Sequence, residues 1–217
     1  MNRFAVVGAV LTAGCVNVQQ IPMSSASSEA INGKVVALSK WKRPDFLVVT
    51  PGAALTRWWY LWPPEGYRTV GSEIVAQNNV EDPAARIGEA LIAQARSKYG
   101  LKVIPEPVPL DSEEILGLSK ANPGVDLLLD VRTVHWVLAS FPTDWSKCRV
   151  IYTAKLRLID LKHGRVLAEA TCGSDPEETP ASPSYDELLA NGADRLKKEL
   201  RDAADRCVSE LRSKTLF

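Results

Sequence analysis

Apolar and polar residues alternate most regularly in the second half of the chain, and this pattern predicts a β-sheet. Residues 149–161 place large apolar side chains on one face and mostly charged or hydroxyl side chains on the other, which is the period of a half-buried strand. Residues 125–138 form a longer, mostly apolar run, and a turn at 162–165 leads into an alternating stretch that ends at Cys172. Gly164 suits the position of a tight hairpin that needs positive φ. We therefore expect a meander of three antiparallel strands.

Shorter patterns in the first half of the chain predict two strands and one well-bounded helix. The β-branched, apolar runs 34–40 and 45–50 are typical of strands. A helix is expected to begin at Pro83, because Asp82 can accept hydrogen bonds from its first N–H groups. The same helix is expected to end at Gly100, since glycine tolerates the left-handed conformation that follows many helices.

Two weaker patterns follow this helix. Residues 101–104 predict a short strand. A small helix capped by Asp111 or Ser112 is expected next, and it would end at a turn before Pro123. Its apolar positions are Ile115, Leu116 and Leu118.

A long helix is predicted at the C-terminal end of the chain. Ser184 and Glu187 form a capping box, in which each side chain accepts a hydrogen bond from the other residue's backbone N–H. The apolar stripe that follows advances by fours and threes and would pack on the sheet. It comprises Leu189, Ala193, Leu196, Leu200, Ala203, Cys207 and Leu211. The order of elements predicts an α+β fold, a mixed sheet with an antiparallel meander and helices packed on it.

The N-terminus has the pattern of a secretory signal. A ten-residue apolar run at 4–13 follows Arg3, and this is too short for a membrane-spanning helix. Small residues then precede Cys15, and the segment resembles the lipobox of bacterial lipoproteins, although Thr12 stands where that family usually has leucine. The resemblance implies removal of residues 1–14 and attachment of acyl chains, palmitate among them, to Cys15. An ordinary signal with an incidental cysteine is the alternative.

Charge gives no sign of a nucleic-acid partner. The chain has 26 basic and 26 acidic residues, and loss of Arg3 with the signal leaves 26 − 1 = 25 against 26. Phosphate-rich partners favour a strongly basic surface, so we expect no nucleic acid, and acyl chains would provide the membrane attachment. In the lipoproteins that this N-terminus resembles, Asp after the cysteine causes retention in the inner membrane. Here the residue is Val16, which implies the outer membrane and its periplasmic face.

The remaining length suggests one folded unit after a linker. Residues 15–32 are rich in serine and poor in large apolar groups, which predicts a lipidated N-terminus with a flexible tether. Residues 33–217 are long enough for one domain with its own core.

Three cysteines remain after Cys15, and an oxidising compartment would favour a disulfide. Cys172 ends a strand on its inward face, and Cys207 lies on the apolar stripe of the last helix, so we expect these two to be joined. A bridge from Cys148 to either of them, or no bridge at all, are the alternatives.

Few residues suggest catalysis. His163 lies in the hairpin turn, and His135 stands in a strand without metal-ligand spacing to another histidine or cysteine. No nucleophile elbow, phosphate-binding glycine loop or zinc-protease motif is present in the sequence. We therefore expect no catalytic residue, no metal and no cofactor.

One strand does carry charged residues on a single face. Asp126, Asp130 and Arg132 share strand parity, and the two carboxylates could in principle act as acid and base. A solvated face whose charges pair across strands with Lys155 and Arg157 is the simpler interpretation.

Residues 57–64 are unusually aromatic. Trp58, Trp59 and Trp62 cannot all point into one core from a strand, because alternate side chains face opposite sides. Those that point outward are candidates for binding a partner or the membrane interface. A loop folded over the core is the alternative.

The strand segments 125–130, 158–161 and 164–168 resemble a group of periplasmic lipoproteins. The group includes the curli-secretion lipoprotein, the lipoprotein activators of penicillin-binding proteins and the auxiliary lipoproteins of lipid-transporting ABC systems. The resemblance extends over residues 83–212 and concerns the fold. Members of this group mostly bind partners, so it implies a lipid-anchored accessory or scaffold protein of an envelope assembly, with an unidentified protein partner. Binding of a lipid or small molecule as part of a transport system is the alternative, and an enzyme is less expected.

Overall fold

The computed structural model describes residues 20–49 and 65–215, without the side chains of residues 65–67. The strands in this part of the chain are β1 (Val35–Trp41), β2 (Leu47–Val49), β3 (Lys102–Val103), β4 (Val108–Leu110), β5 (Leu127–Ser140), β6 (Cys148–Asp160) and β7 (Arg165–Ser174). The helices are α1 (Ser25–Ala30), α2 (Glu65–Asn78), α3 (Pro83–Tyr99), α4 (Leu118–Ala121) and α5 (Tyr185–Thr215).

The strands form a mixed sheet in the order β3-β1-β5-β6-β7, with β2 beside β5 and β4 beside β1. Strand β1 is parallel to β3, β4 and β5, whereas β5, β6 and β7 are antiparallel neighbours. Gly164 adopts a φ of 61° in the turn between β6 and β7, as the hairpin requires. The predicted α+β fold with its meander and long C-terminal helix is confirmed.

A bulge in β5 reverses the orientation of its side chains. The pairing of β5 with β6 shifts between Thr133 and His135, so one extra residue lies in β5. Before the bulge Leu129 faces the helix side of the sheet, and after it Leu138 does. The opposite face therefore carries Asp130 near the middle of the sheet and apolar residues such as Val137 further along.

Helices α3 and α5 cover one face of the sheet and enclose the larger core. Helix α3 begins and ends as predicted: the Asp82 carboxylate accepts a hydrogen bond from Ala84 N at 3.0 Å, and Gly100 has a φ of 63°. The Asp82 carboxylate also accepts a hydrogen bond from the Thr133 hydroxyl, which lies 3.0 Å from the Tyr152 hydroxyl. This chain of hydrogen bonds ties the start of α3 to β5 and β6.

The capping box of α5 is also present, since Glu187 Oε2 accepts a hydrogen bond from Ser184 N at 2.7 Å and Ser184 Oγ accepts one from Glu187 N at 3.3 Å. The helix is broken at Ala190–Ala193, where the backbone leaves helical φ and ψ. The break changes the helical phase, so Leu188 is fully buried and the predicted Leu189 is only partly buried. From residue 193 to residue 211 the predicted stripe is buried as expected.

The small helix predicted from Asp111 or Ser112 is wrong. Residues 111–117 are not helical, and α4 is a single turn that follows Gly117, whose φ is 92°. Leu116 is 80% exposed, so the apolar pattern on which the prediction depended does not mark a buried face. Helix α2 and strand β4 are elements that the sequence pattern did not predict.

The flexible tether expected from residue 15 to residue 32 is also wrong over its described part. Ile21 pairs with Glu169 of β7, and the Ser24 hydroxyl caps α1. Met23 is 2% exposed and Ile31 is 1% exposed, and both belong to the core under α3 and α5. Two isolated apolar side chains hold this serine-rich segment on the domain.

Among the described residues, no helix combines the length and the apolar character needed to cross a bilayer.

Candidate functional site

Charged residues meet on the face of the sheet opposite α3 and α5, where most of them come from neighbouring strands. The register of β5 and β6 places Asp130 beside Arg157 and Arg132 beside Lys155, and Glu169 of β7 lies beside Arg157. Glu113 reaches this face from the loop after β4. We call this group the ion-pair cluster, and its members are Glu113, Asp130, Arg132, Lys155, Arg157 and Glu169.

The centre of the ion-pair cluster is a buried pair. Arg157 donates to Asp130 Oδ2 from Nε at 2.8 Å and from Nη2 at 2.6 Å. The other carboxylate oxygen of Asp130 accepts hydrogen bonds from Ser39 Oγ at 2.8 Å and Trp41 Nε1 at 2.5 Å. The side chains of Asp130 and Arg157 are 2% and 6% exposed. Full use of both carboxylate oxygens is what allows this charge to be buried.

Glu113 lies over the outer side of the cluster. Its carboxylate pairs with Arg132, with Lys155 at 3.3 Å and with Arg157 at 3.7 Å, and its backbone carbonyl accepts a hydrogen bond from Arg157 at 3.1 Å. Partial burial raises the pKa of Glu113, but the hydrogen bonds and charges of Arg132 and Lys155 outweigh this and leave the pKa below its ordinary value. This carboxylate is therefore held in its charged form.

The rim of the cluster connects it to β1 and β7. The Arg132 guanidinium stacks 5.1 Å from the Trp41 ring centre, a distance at which a cation is attracted to the ring face. Lys155 Nζ lies 2.9 Å from Glu169 Oε1. Three acidic and three basic side chains thus balance each other.

The predicted pairing across strands is confirmed for Asp130 with Arg157. Arg132 and Lys155 lie side by side and both pair with Glu113, and the face is not the solvated surface that we expected. Asp130 and Arg157 are buried because the loop that carries Glu113 and the side chain of Trp41 shield them from water. Each carboxylate of the cluster faces at least one cation. For Glu113, whose pKa the neighbouring cations lower, this opposes the protonated form that a general acid needs.

Asp126 and His135, the other candidates for acid–base chemistry, lie apart from the cluster's centre. Asp126 Oδ2 accepts a hydrogen bond from Val35 N at 2.9 Å, so this carboxylate joins β1 to the start of β5. His135 is half-buried beyond the bulge, and burial lowers its pKa, which favours the neutral ring. Among residues 20–49 and 65–215, no group of three or more histidine, cysteine or acidic side chains could hold a metal ion.

The disulfide joins Cys172 of β7 to Cys207 of α5, with a Cα–Cα distance of 5.3 Å. Both residues are buried in the core between the sheet and the helix. This is the predicted pairing, and it fixes the last helix to the edge strand of the sheet. Cys148 is free and buried, and burial raises the pKa of its thiol, so the thiolate is disfavoured there.

The remaining predicted site residues lie outside the described residues. They are Cys15, the lipid-attachment candidate, and Trp58, Trp59 and Trp62, the candidates for partner binding. All four stay predictions.

Clefts between the described residues are lined by charged side chains. A cleft of about 420 Å³ between the α2–α3 turn and α5 contains Glu81, Arg86, Glu89, Lys197 and Arg201. A smaller one of about 200 Å³ lies beside Trp41 and Arg132. The wider cleft mixes polar and apolar surface, and the smaller one is mainly apolar but lies below the roughly 300 Å³ at which ligand pockets begin.

The sequence did not suggest Glu113, Ser39 or Trp41 as members of the charged site. Glu113 was assigned to a helix that does not form, and Ser39 and Trp41 belong to a strand 89 to 91 residues from their partner Asp130. Strand parity was the available signal for Ser39 and Trp41, but it does not say which strand lies beside β5.

No family model matches the chain, and no curated protein matches it. Among solved structures, the chain is similar to the PelC dodecamer from Paraburkholderia phytofirmans, with 12% identity, 91% of this chain and 95% of that chain covered, and a TM-score of 0.40. Lipoprotein GNA1162 from Neisseria meningitidis matches with 13% identity, 82% and 99% covered, and a TM-score of 0.29. Similarities this weak support no conclusion about function.

Proposed function

We propose that the protein is a lipid-anchored, non-catalytic accessory or scaffold protein of a bacterial cell envelope, held on the periplasmic face of the outer membrane. Cys15, after a short apolar run and small residues, supports the anchor. The disulfide between Cys172 and Cys207 suits an oxidising compartment such as the periplasm. The partner is an envelope protein.

The observation that supports the non-catalytic part is that every carboxylate of the ion-pair cluster contacts at least one cation. Asp130 accepts hydrogen bonds on both oxygens, Glu113 faces three cations, and Glu169 faces Lys155. A general acid needs a proton to donate, and the cations around Glu113 lower its pKa and disfavour its protonated form. The cluster instead stabilises a rigid sheet face, which suits a protein that presents a surface to a partner.

Metabolic labelling with a fatty acid tests the anchor. We expect the wild-type chain to incorporate the label and Cys15→Ser to remain an unlabelled precursor, because serine has no thiol for acyl transfer. Cys148→Ser is the matched control and should be labelled like the wild type, since Cys148 is buried within the domain. Label in Cys15→Ser, together with outer-membrane fractionation of that variant, would contradict the proposal.

Sorting is tested separately by density-gradient fractionation of Val16→Asp. In an enterobacterial host, we expect part of this variant to move to the inner membrane. An unchanged distribution would argue against the outer-membrane assignment while leaving the lipid anchor intact.

Alanine variants of the tryptophans, tested after confirming that they fold, address the partner. Trp58→Ala, Trp59→Ala or Trp62→Ala in a folded protein should reduce capture of the envelope partner if that side chain provides binding energy. Normal capture by all three would place the partner surface elsewhere on the domain.

A further inference from the structure

The segment that follows the predicted anchor is docked on the edge of the sheet. Ile21 N donates to Glu169 O at 2.7 Å, and Glu169 N donates to Ile21 O at 2.8 Å. Strand β7 is the last strand in the sheet order, so this pairing occupies part of its outer edge. Met23 and Ile31 then bury their side chains in the core, which holds the segment in place.

Docking at Ile21 shortens the reach of the anchor. The distance along the chain from Cys15 to Ile21 is 21 − 15 = 6 residues, which span at most about 20 Å when fully extended. A tether that stayed free up to Gly33 would have 33 − 15 = 18 residues, or about 60 Å at the same rise. The docked segment therefore keeps the β7 edge near the lipid surface.

The last turn of α5 lies beside this edge and carries two basic residues, of which Lys214 is already paired. Lys214, in the last turn of α5, donates to the Thr171 carbonyl of β7 at 3.1 Å and pairs with Glu210 at 2.6 Å. Arg212 is exposed in the same turn. Cations close to a bilayer are attracted by anionic headgroups, although the acyl chains supply most of the affinity.

The opposite edge of the sheet lies away from this position. Four strand spacings separate β7 from β3 in the sheet order, and at about 4.8 Å each they add about 19 Å. Lys102 on β3 is exposed at that far edge.

We propose that the β7 edge and the C-terminal turns of α5 face the phospholipid bilayer, so that the domain works at the membrane surface and does not reach across the periplasm. This inference depends on the lipid anchor proposed above. It implies that the partner lies in or on the same membrane.

Energy transfer to acceptor lipids tests this orientation. The lipidated protein, purified from membranes, would carry a fluorescent amino acid at Gln20 or at Lys102 and be reconstituted into phosphatidylethanolamine and phosphatidylglycerol vesicles containing an acceptor lipid. We expect several-fold more efficient transfer from Gln20, which adjoins the docked Ile21, than from Lys102. Equal transfer from the two sites, or more from Lys102, would overturn the orientation.

A longer tether provides the control for reach. Insertion of about 12 glycine and serine residues between Gln19 and Gln20 adds roughly 20 Å of average reach and leaves the docked segment unchanged. Transfer from the two sites should then become similar, whereas a difference that persists would show that tether length does not orient the domain. Flotation of the uninserted protein with the vesicles separates the two proposals, because failure to float contradicts the anchor itself.

Discussion

At the scale of single residues, the buried pair of Asp130 and Arg157 shows how burial changes the effect of an ion pair on stability. Exposed ion pairs contribute little because water screens them and side chains lose freedom. A buried pair contributes little in net terms as well, but loss of one partner leaves an uncompensated charge out of water. The exposed pair of Arg86 and Asp205, whose side chains are 53% and 58% exposed, provides the comparison within this chain.

We expect Arg157→Met to lower the free energy of unfolding by about 3–5 kcal/mol, the range for breaking a buried pair. Asp130→Asn should also destabilise the protein. The double variant should lower the free energy of unfolding by less than the sum of the two single variants, because the two residues share one interaction. Urea denaturation monitored by circular dichroism measures these values. Arg86→Met is the matched control and should produce no measurable change. Additive single effects would contradict the described pairing.

Glu113 predicts a pH dependence of stability. The folded-state pKa of Glu113 lies below the ordinary value of 4.5. The ionised Glu113 carboxylate therefore stabilises the fold fully above about pH 4.5, and this stabilisation is lost as pH falls through the lower folded-state pKa. Between about pH 7 and pH 3, Glu113→Gln should therefore show a shallower loss of melting temperature than the wild type.

Glu114→Gln is the control for this curve, since the neighbouring Glu114 has no ion pair among the described residues. Its melting temperature should follow the wild-type pH profile. If Glu113→Gln also follows that profile, the contacts of Glu113 with Arg132 and Lys155 do not contribute to acid stability.

At the scale of elements, close backbone contact decides where helix α2 lies. Gly71 of α2 lies against the backbone of Phe46, the residue immediately before β2. A Cβ atom on Gly71 would overlap the Phe46 carbonyl oxygen. Gly88 of α3 offers a contrast, because a Cβ there would lie 3.2 Å from Leu38 Cδ2, the end of a flexible side chain. Backbone cannot yield to such a contact as a side chain can.

Gly71→Ala should destabilise the protein by about 1–3 kcal/mol or more, the cost of overpacking, even though alanine favours helices by about 1 kcal/mol over glycine. Gly88→Ala should be close to neutral, since the same propensity gain offsets a small movement of Leu38. Thermal denaturation of the two variants measures the contrast. Equal melting temperatures would show that α2 does not pack on Phe46 as described.

Local signals explain which elements were predictable. The ends of α3 follow from Asp82, Pro83 and Gly100, which act on backbone groups within a few residues. Helix α2 ends on one such signal, since Asn79 follows it with a φ of 51°. Its position on the sheet depends on a contact between Gly71 and Phe46 that sequence spacing does not reveal. Strand alternation predicted which side chains of the meander share a face, whereas the bulge between Thr133 and His135 that shifts the register of β5 and β6 has no such local signal.

At the scale of the whole molecule, the parts that the sequence did not predict depend on contacts between distant segments. Glu113 meets Arg132, Lys155 and Arg157, which are 19 to 44 residues away. The same is true of Met23 and Ile31, which lie in a polar, serine-rich segment that composition alone assigns to a flexible tether. Composition describes the average residue of a segment, whereas docking depends on the few apolar ones.

The docked segment predicts that the folded domain begins before Gly33. A chain that starts at Gly33 loses Met23 and Ile31, which are 2% and 1% exposed in the core. Truncation of a buried Met or Ile costs about 2–5 kcal/mol each, so this chain should be several kcal/mol less stable in urea than one that starts at Gln20. Met23→Ala in the longer chain should account for part of the loss, and Pro22→Ala, at an exposed neighbour, should not. Equal stability of the two chains would show that residues 20–32 are a flexible tether. The link between the anchor and the domain would then be longer, and the proposed membrane orientation would lose its basis.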